Sequence, residues 1–430
     1  MKSPSILRVL VLGIALMAGC SKDESSTGPG GGTTGPVTVT GKVLGANKQP
    51  VSGVPVVVAG IPSVNTDANG NFTIANVNRP YTITVIDATN KVAIVYRGLT
   101  RSDPTVVFFQ SNPGVKRTAS LNGRVFPALS YPEPATRKTL VGFVSTETGK
   151  TTNAAPATGQ YSLANAEWYG PTTVTGSLHA LQYDYNTTTN LPTTYVGYGV
   201  RSGVSLLDAT TNPNGNDTMS VVSSTTMSGT VTVPAGYTVS YKSVTLVLGA
   251  TTGLSLLTDS NPAASFTYAT PSISGATFRV SVAAVKAASA QVVTSKGNVA
   301  ANATGVAITA PTGPELSLPI NAATGITTGT LFSWTPFTAG VHLLLFLGGG
   351  GKPSYYVMTA SASDSIPSLG SAGLGLPVAS PYNWAVYGFA PFADVDAAAG
   401  PDGFLGVLNG VGGGDASFAT SAARSFTTAP

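Results

Sequence analysis

The stretch TDANGNFTIAN, residues 66–76, decides the fold class because it has the form of a tight turn followed by a strand. The segment Asp67–Gly70 is typical of a hairpin turn in which Gly70 supplies a positive φ. In the strand that follows, Phe72 and Ile74 alternate with polar residues, as they do when one sheet face is buried. Similar period-two alternation occurs at 37–43, 54–58 and 81–85. These patterns predict short antiparallel strands.

The same strand motif recurs along the chain. GNFTIAN at 70–76 is matched by GQYSLAN at 159–165 and more weakly by ASFTYAT at 264–270. A second marker, a strand start of the form Gly-x-Val, recurs in step with it, as GKV at 41–43, GRV at 123–125 and GTV at 229–231. Two separate motifs that recur at similar spacings along the chain indicate internal repeats. We therefore expect three related β-sandwiches, at 37–113, 118–225 and 226–309; for the third, chance similarity is the alternative.

Composition supports an all-β protein and excludes some functions. Hydrophobic residues make up 42% of the 430 residues and charged residues only 9%, against about 25% charged in a typical domain. Gly, Thr and Asn, which are abundant here, are weak helix formers. The 22 basic residues nearly balance the 18 acidic ones and form no cluster. Because nucleic-acid binding needs a basic surface, no nucleic-acid partner is expected.

The N-terminus has the features of an export signal. Lys2 and Arg8 flank an apolar run at 9–17 that is too short to cross a bilayer, and LMAGC follows at 16–20. This segment resembles a bacterial lipobox, with Met17 where Leu is usual. The resemblance implies residues 1–19 as signal peptide, diacylated Cys20 as membrane anchor, and, because Ser21 follows, the outer membrane. Residues 20–36 have linker composition. An ordinary signal peptide is the alternative.

Two family resemblances refine the expected architecture. The segments TGKV (40–43), PVSGVPV (50–56) and TDANGNF (66–72) resemble the carboxypeptidase regulatory-like domain, a seven-stranded prealbumin-like sandwich without catalytic residues. From 310 to 430 the pattern changes, with PELSLP at 314–319, FSWTP at 332–336, YNWAV at 382–386 and RSFTT at 424–428. That region resembles a bacterial fibronectin type III-like domain, which implies Trp334 in an early core strand and Tyr382, Trp384 and Val386 alternating along a late one. The fold class expected is all-β: tandem immunoglobulin-like or prealbumin-like β-sandwiches after a signal peptide and flexible linker.

Few residues suggest catalysis or metal binding. The chain has one cysteine and two histidines, His179 and His342, both in strand-like runs. A zinc site is therefore not expected, and no Gly-x-Ser-x-Gly nucleophile motif occurs. We expect no enzyme activity and no cofactor. Asp394, Asp396 and Asp402 form a weak calcium candidate that lacks the closing glutamate; loop carboxylates that aid solubility are the alternative.

Aromatic residues crowd into the second predicted sandwich. Their rings are candidates for stacking on a glycan, and packing in the core or at edges is the alternative. The six residues are Trp168, Tyr169, Tyr183, Tyr185, Tyr195 and Tyr198.

The sequence favours a structural or adhesive role over catalysis. The main hypothesis is a non-enzymatic lipoprotein, anchored outside the cytoplasm, that displays β-sandwich modules. The alternative is an accessory lipoprotein that binds carbohydrate or peptide through the aromatics of the second sandwich or loops of the fourth. The partners expected are the membrane and a polysaccharide or surface protein. Because lysines are few, we also expect prolines, bulges or neighbouring domains to cover the edge strands.

Overall fold

The chain folds almost entirely into β-strands, with about 58% strand and 3% helix, so the predicted all-β class is confirmed. This computed structural model describes residues 35–109, 113–129, 131–213, 215–249, 253–286, 290–338, 340–408 and 414–430. The predicted signal peptide, Cys20 and most of the predicted linker lie outside the described residues. Within the described ranges, no helix is long and apolar enough to span a membrane.

The first strand set, β1–β7, is a sandwich of two sheets. Its sheets have the orders β4-β1-β7 and β3-β2-β5-β6. β1 pairs with β7 in parallel and with β4 antiparallel. The turn before β4 forms as predicted, with the backbone N–H groups of Asn69 and Asn71 donating to Asp67 Oδ1 at 2.8 Å. The strands are β1 (Val37–Gly45), β2 (Pro55–Val58), β3 (Val64–Asn65), β4 (Asn71–Val77), β5 (Tyr81–Asp87), β6 (Val92–Leu99) and β7 (Thr105–Phe108).

The second and third strand sets, β8–β16 and β17–β23, repeat this strand order. The sheets β11-β8-β14 and β20-β17-β23 correspond to β4-β1-β7, and β14 and β23 pair in parallel with the first strands of their sets, β8 and β17. The runs β10-β9-β12-β13 and β19-β18-β21-β22 correspond to β3-β2-β5-β6. The strands are β8 (Lys116–Phe126), β9 (Arg137–Val144), β10 (Gly149–Asn153), β11 (Gln160–Tyr169), β12 (Thr173–Tyr185), β13 (Pro192–Leu207), β14 (Thr211–Asn212), β15 (Asp217–Thr218), β16 (Ser220–Val221), β17 (Ser224–Thr232), β18 (Tyr237–Leu248), β19 (Leu254–Asp259), β20 (Ser265–Pro271), β21 (Ala276–Lys286), β22 (Ala290–Val299) and β23 (Val306–Thr309).

A glycine opposite an aromatic residue explains the recurring Gly-x-Val motif. In each set the glycine of the first strand pairs with the aromatic residue of the fourth. At Gly229 a Cβ atom would lie 2.1 Å from the Val306 carbonyl oxygen and 2.6 Å from the Phe266 ring. Only glycine therefore allows the parallel strand and the ring to approach together. The pairs are Gly41–Phe72, Gly123–Tyr161 and Gly229–Phe266.

A bulge also recurs in the sixth strand of each set. The bulged residue has a positive φ in all three, at Gly98 (77°), Gly203 (71°) and Asn298 (52°). At each of these positions the register shifts by one residue relative to the fifth strand. A bulge with a glycine or asparagine in the left-handed region bends a strand near the sheet edge. The residues just before the bulge belong to the strand that ends the larger sheet of each sandwich.

The fourth strand set, β24–β32, differs in order. The sheet β24-β26-β29 packs against the run β28-β27-β30, and β30 pairs along different parts with β31 and β32. Trp334 lies in β26, and Tyr382, Trp384 and Val386 are buried together along β30, as predicted. The elements are β24 (Leu316–Leu318), β25 (Ala323–Ile326), β26 (Leu331–Trp334), β27 (Val341–Leu347), β28 (Ser354–Thr359), β29 (Ser363–Ser365), a 3₁₀ turn (Gly370–Ala372), β30 (Pro381–Ala390), α1 (Val395–Ala398), α2 (Phe404–Leu408), β31 (Ala416–Thr420) and β32 (Arg424–Thr428).

The fourth set joins the first and third into one continuous sheet. β28 pairs in parallel with residues 92–96 of β6, and β31 pairs antiparallel with residues 291–295 of β22. The expectation that neighbouring structure covers the edge strands is thus confirmed at β6 and β22. In the second set the chain's own β16 pairs with Gly197 and Tyr198 of the corresponding strand β13. The fourth set therefore lies beside the first set in space, although it follows the third set in the chain.

Both faces of the first–fourth sheet are buried. On one face Ile94 and Tyr96 pack in a core that includes Leu343. On the other face Val95 packs in a core that includes Leu344. Strands covered on both sides are continuously apolar rather than alternating, and the runs VAIVY at 92–96 and LLLFL at 343–347 have this character.

We predict that Gly229→Ala destabilises the third set. The added Cβ atom would meet the Val306 carbonyl oxygen and the Phe266 ring, and overpacking of this kind costs about 2–3 kcal/mol. Thermal unfolding followed by circular dichroism should show a lower melting temperature. Gly329→Ala is the matched control, because its Cβ would meet only the Thr327 hydroxyl at 3.7 Å. Equal melting temperatures for the two variants would contradict the packing role of Gly229.

Candidate functional site

An aspartate clasp joins the first and fourth sets. Asp396 lies in the first turn of α1, and its Oδ1 accepts hydrogen bonds from the backbone N–H groups of Thr100 (2.8 Å) and Arg101 (3.1 Å). The Thr100 hydroxyl donates to Oδ2 of the same carboxylate. In return, the Arg101 guanidinium donates to the Asp396 carbonyl oxygen at 2.7 Å. The chain just after β6 is thereby tied to the short helix.

The three aspartates of the calcium candidate have separate positions and roles. Asp394 caps α1 by accepting from the Ala397 N–H at 2.8 Å, and Asp396 forms the clasp. Asp402 is exposed. Among the described residues, no group of three or more His, Cys, Asp or Glu side chains converges as a metal site would require. The local Asp-x-Asp spacing reflects helix capping and a junction contact.

Two of the six candidate glycan-stacking rings are buried. Trp168 is 1% exposed and donates from Nε1 to the Pro171 carbonyl at 2.8 Å; Tyr195 is 2% exposed. Tyr195 packs at a centroid distance of 5.6 Å against Tyr183, at the contact between the second and third sets. Neither Trp168 nor Tyr195 can stack on a ligand from solvent, which corrects the expectation for these two. Trp168 packs in the core inside the second set, whereas Tyr195 packs where the larger sheet of that set meets the third set.

Tyr183 and the other three rings are half-buried. Lys138 Nζ lies 3.9 Å from the centroid of the Tyr185 ring, and the Tyr185 hydroxyl donates to the Ala135 carbonyl. The Tyr198 hydroxyl lies 3.0 Å from His179 Nδ1. Tyr169 lies at the end of β11. The structure therefore scatters these rings among separate contacts instead of presenting them as one platform.

Both histidines are structural. His179 is 4% exposed and contacts Tyr198, while His342 is 1% exposed and accepts from the Phe337 N–H at Nε2 (2.8 Å). Burial lowers the pKa of each imidazole to about 4. Both rings are neutral at pH 7 and face protein rather than solvent.

Charged side chains form ion pairs within and between the sets. Arg137 holds Asp184 with two hydrogen bonds of 2.8 and 2.9 Å inside the second set. Arg97 of the first set pairs with Asp364 of the fourth at 2.8 Å. The desolvation of Asp364 raises the pKa of its carboxyl, and Arg97 opposes that shift.

The third set contains a fully buried lysine. Lys242 Nζ donates to the carbonyl oxygens of Asn261 and Ala263 and lies 3.7 Å from Asp259 Oδ2. The Tyr268 hydroxyl donates to the same carboxylate at 2.7 Å. These partners compensate the buried ammonium, which fixes the loop between β19 and β20.

A cleft of about 210 Å³ opens where the third and fourth sets meet. It combines two cationic side chains with one carboxylate on an otherwise small, apolar lining. Sequence reasoning missed this site, because its parts come from three separate segments with no shared motif. The lining residues are Lys286, Ala290, Pro314, Glu315, Leu316, Ala422 and Arg424.

Comparisons with known proteins give no family. No protein-family model matches the sequence, and no curated protein matches it. Among solved structures, the Bacillus anthracis TIE protein is 10% identical with a TM-score of 0.15, over 64% of this chain and 50% of that one. Two B repeat units of the Staphylococcus aureus collagen binding protein are 11% identical with a TM-score of 0.14, over 92% of this chain and 100% of that one.

A fimbrial assembly protein from Parabacteroides distasonis is 12% identical with a TM-score of 0.17, over 40% of this chain and 82% of that one. At such TM-scores these similarities carry no conclusion about function.

Acid should destabilise the protein through its histidines. The pKa of each folded-state imidazole is about 4, below the unfolded value of about 6.5. The unfolded chain therefore binds protons first, and stability present above pH 6.5 is lost as pH falls towards 4, by about 3 kcal/mol per histidine. Melting temperatures measured from pH 7.5 to 4 should fall, and His342→Gln should flatten the decline. An unchanged slope in that variant would contradict neutral burial of His342.

Removal of the clasp should weaken the first–fourth junction. Asp396→Ala leaves the N–H groups of Thr100 and Arg101 without their acceptor, and loss of charge-assisted hydrogen bonds at a half-buried site costs about 2 kcal/mol. Asp402→Ala, at an exposed position of the same segment, is the control and should change stability by less than about 0.5 kcal/mol. Urea unfolding measures both; equal midpoints for the two variants would argue against the clasp.

Proposed function

We propose that this protein is a non-enzymatic lipoprotein that is exported from the cytoplasm, sorted to the outer membrane and anchored there through diacylated Cys20. It serves as a structural or adhesive scaffold. Residues 37–113 act as a carboxypeptidase regulatory-like module, residues 118–225 and 226–309 as two related β-sandwiches, and residues 310–430 as a fibronectin type III-like module. In this proposal residues 20–36 are the spacer between the anchor and the first strand.

The position of β1 is the observation that carries this proposal. β1 follows the proposed spacer directly and is the central strand of its sheet, bonded to β4 on one side and to β7 on the other. A pull on the N-terminus therefore acts along a strand that is held on both sides. The sheet that packs behind it continues from the first set through the fourth to the third.

The side chains also favour a scaffold. The two histidines are buried and neutral, and the carboxylates described above cap a helix, clasp a junction or hold arginines and a lysine. The nearly balanced charge also supports the expectation of no nucleic-acid partner.

The second candidate is an accessory lipoprotein that binds polysaccharide or peptide. The half-buried rings of Tyr169, Tyr185 and Tyr198 support it, since part of each ring is accessible. The loops of the fourth set remain a further candidate surface. An array of neutral glycans probed with the full chain distinguishes the candidates, because a pure scaffold should bind no neutral glycan above background.

Cys20→Ser tests the anchor. Expressed with its own leader in a bacterium that has an outer membrane, the wild-type chain should enter the detergent phase of a Triton X-114 extraction. The variant should remain in the aqueous phase, because two acyl chains are what gives stable membrane attachment. Mass spectrometry of the wild-type N-terminus should show a diacylated cysteine. Both chains should unfold at the same temperature, since Cys20 precedes the first strand. A wild-type chain that stays in the aqueous phase would overturn the anchor.

A further inference from the structure

The cleft at the third–fourth junction has a net positive charge. Lys286 is the last residue of β21, Glu315 immediately precedes β24, and Arg424 is the first residue of β32. Each of these three residues contributes one charge to the lining of the cleft. Two cations against one carboxylate leave an excess of one positive charge. The remaining lining comes from Ala, Pro and Leu side chains, which give it a small apolar floor.

Arg424 is held rigidly with part of its guanidinium unused. Its Nη1 donates to the carbonyl oxygens of Ser317 and Pro319, both at 2.8 Å, and its Nη2 donates to that of Leu316. These bonds engage Nη1 and Nη2, and among the described residues none is found from Nε. The Nε side is an edge through which a guanidinium can bind a carboxylate.

Lys286 and Glu315 complete the polar lining. Lys286 Nζ pairs with Glu315 Oε1 and lies 6.0 Å from the centroid of the Tyr237 ring. The Glu315 hydrogen bond raises the pKa of Lys286, which stays an ammonium at neutral pH. Glu315 Oε2 has no hydrogen-bond donor among the described residues, so it is free to accept from a ligand hydroxyl.

We propose that this cleft binds a hydroxylated carboxylic acid of monosaccharide size, a hexuronic acid. Its carboxylate bonds to the free edge of Arg424 and to Lys286, and a ring hydroxyl donates to Glu315. The volume of about 210 Å³ is below the roughly 300–1,000 Å³ of sites for larger ligands, so it suits one sugar residue. The site goes beyond the anchored scaffold and does not depend on the tyrosines of the second set.

The test is isothermal titration of the full chain at low salt with galacturonate and with galactose. Galacturonate should bind with one site per chain and at least tenfold more tightly than galactose, which lacks the carboxylate. A titration with polygalacturonate distinguishes a free sugar acid from a polymer end or repeat as the source. Tighter binding per residue of the polymer assigns the site to acidic polysaccharide; equal binding assigns it to the free acid.

Three variants test the residues. Lys286→Ala should weaken galacturonate binding at least fivefold, whereas Glu315→Gln, which releases Lys286 and keeps an acceptor oxygen, should tighten it by about fivefold. Lys296→Ala is the matched control, because Lys296 pairs with Asp415 at the same junction at 2.6 Å but does not line the cleft. Its affinity should equal that of the wild type. If Lys286→Ala does not fold, Glu315→Gln alone tests the residues: tighter galacturonate binding supports the proposal, and unchanged or weaker binding contradicts it.

The proposal is overturned by no measurable galacturonate binding, by equal affinity for galactose, or by equal loss in Lys286→Ala and Lys296→Ala. These outcomes leave the anchor proposal intact, because Triton X-114 extraction measures that separately.

Discussion

The pairing of two edge strands with the fourth set is the interaction on which the rest of the structure depends. β6 and β22 each end a sandwich sheet, and an unpaired strand there would expose backbone N–H and carbonyl groups. β28 covers the first edge and β31 the second. Because one unit bonds to both, sandwiches that are far apart in sequence share sheets and cores.

Ion pairs and polar contacts reinforce these same junctions. Charged residues make up only 9% of the chain, yet several link the fourth set to a neighbour. The pair Arg97–Asp364 and the Asp396 clasp connect it to the first set, and Lys286–Glu315 and Lys296–Asp415 connect it to the third. Pairs at exposed positions contribute little to stability on their own. The galacturonate cleft is proposed at one of these contacts.

Local patterns in the sequence predicted most of the strands, and the pairing between distant strands could not be predicted. The turn at Asp67–Gly70 and the repeated glycine and aromatic motifs follow from period and turn chemistry, and the family resemblance of 310–430 implied the strand positions of Trp334 and Trp384. By contrast, β6 and β28 are more than 250 residues apart in the chain, and no local signal specifies such a partner. The apolar run at 92–96 is buried on both faces, but nothing within the run specifies the strand that covers it.

Candidate sites were harder to predict because side chains of one type serve several purposes. Asp396 belonged to a calcium-like spacing and proved to be a junction contact, while Trp168 and Tyr195 belong to packed interiors. The cleft lined by Lys286, Glu315 and Arg424 depends on tertiary contacts that no motif encodes.

Residue-resolved hydrogen exchange of β6 and β22 in the intact chain tests the central claim most directly. Strands paired on both sides have hydrogen-bonded amides along their whole length, whereas an open edge strand leaves about every second amide to solvent. The structure predicts slow exchange for residues 92–96 and 291–295 alike. Exchange of alternate amides within seconds in either stretch would show an open edge and contradict the account.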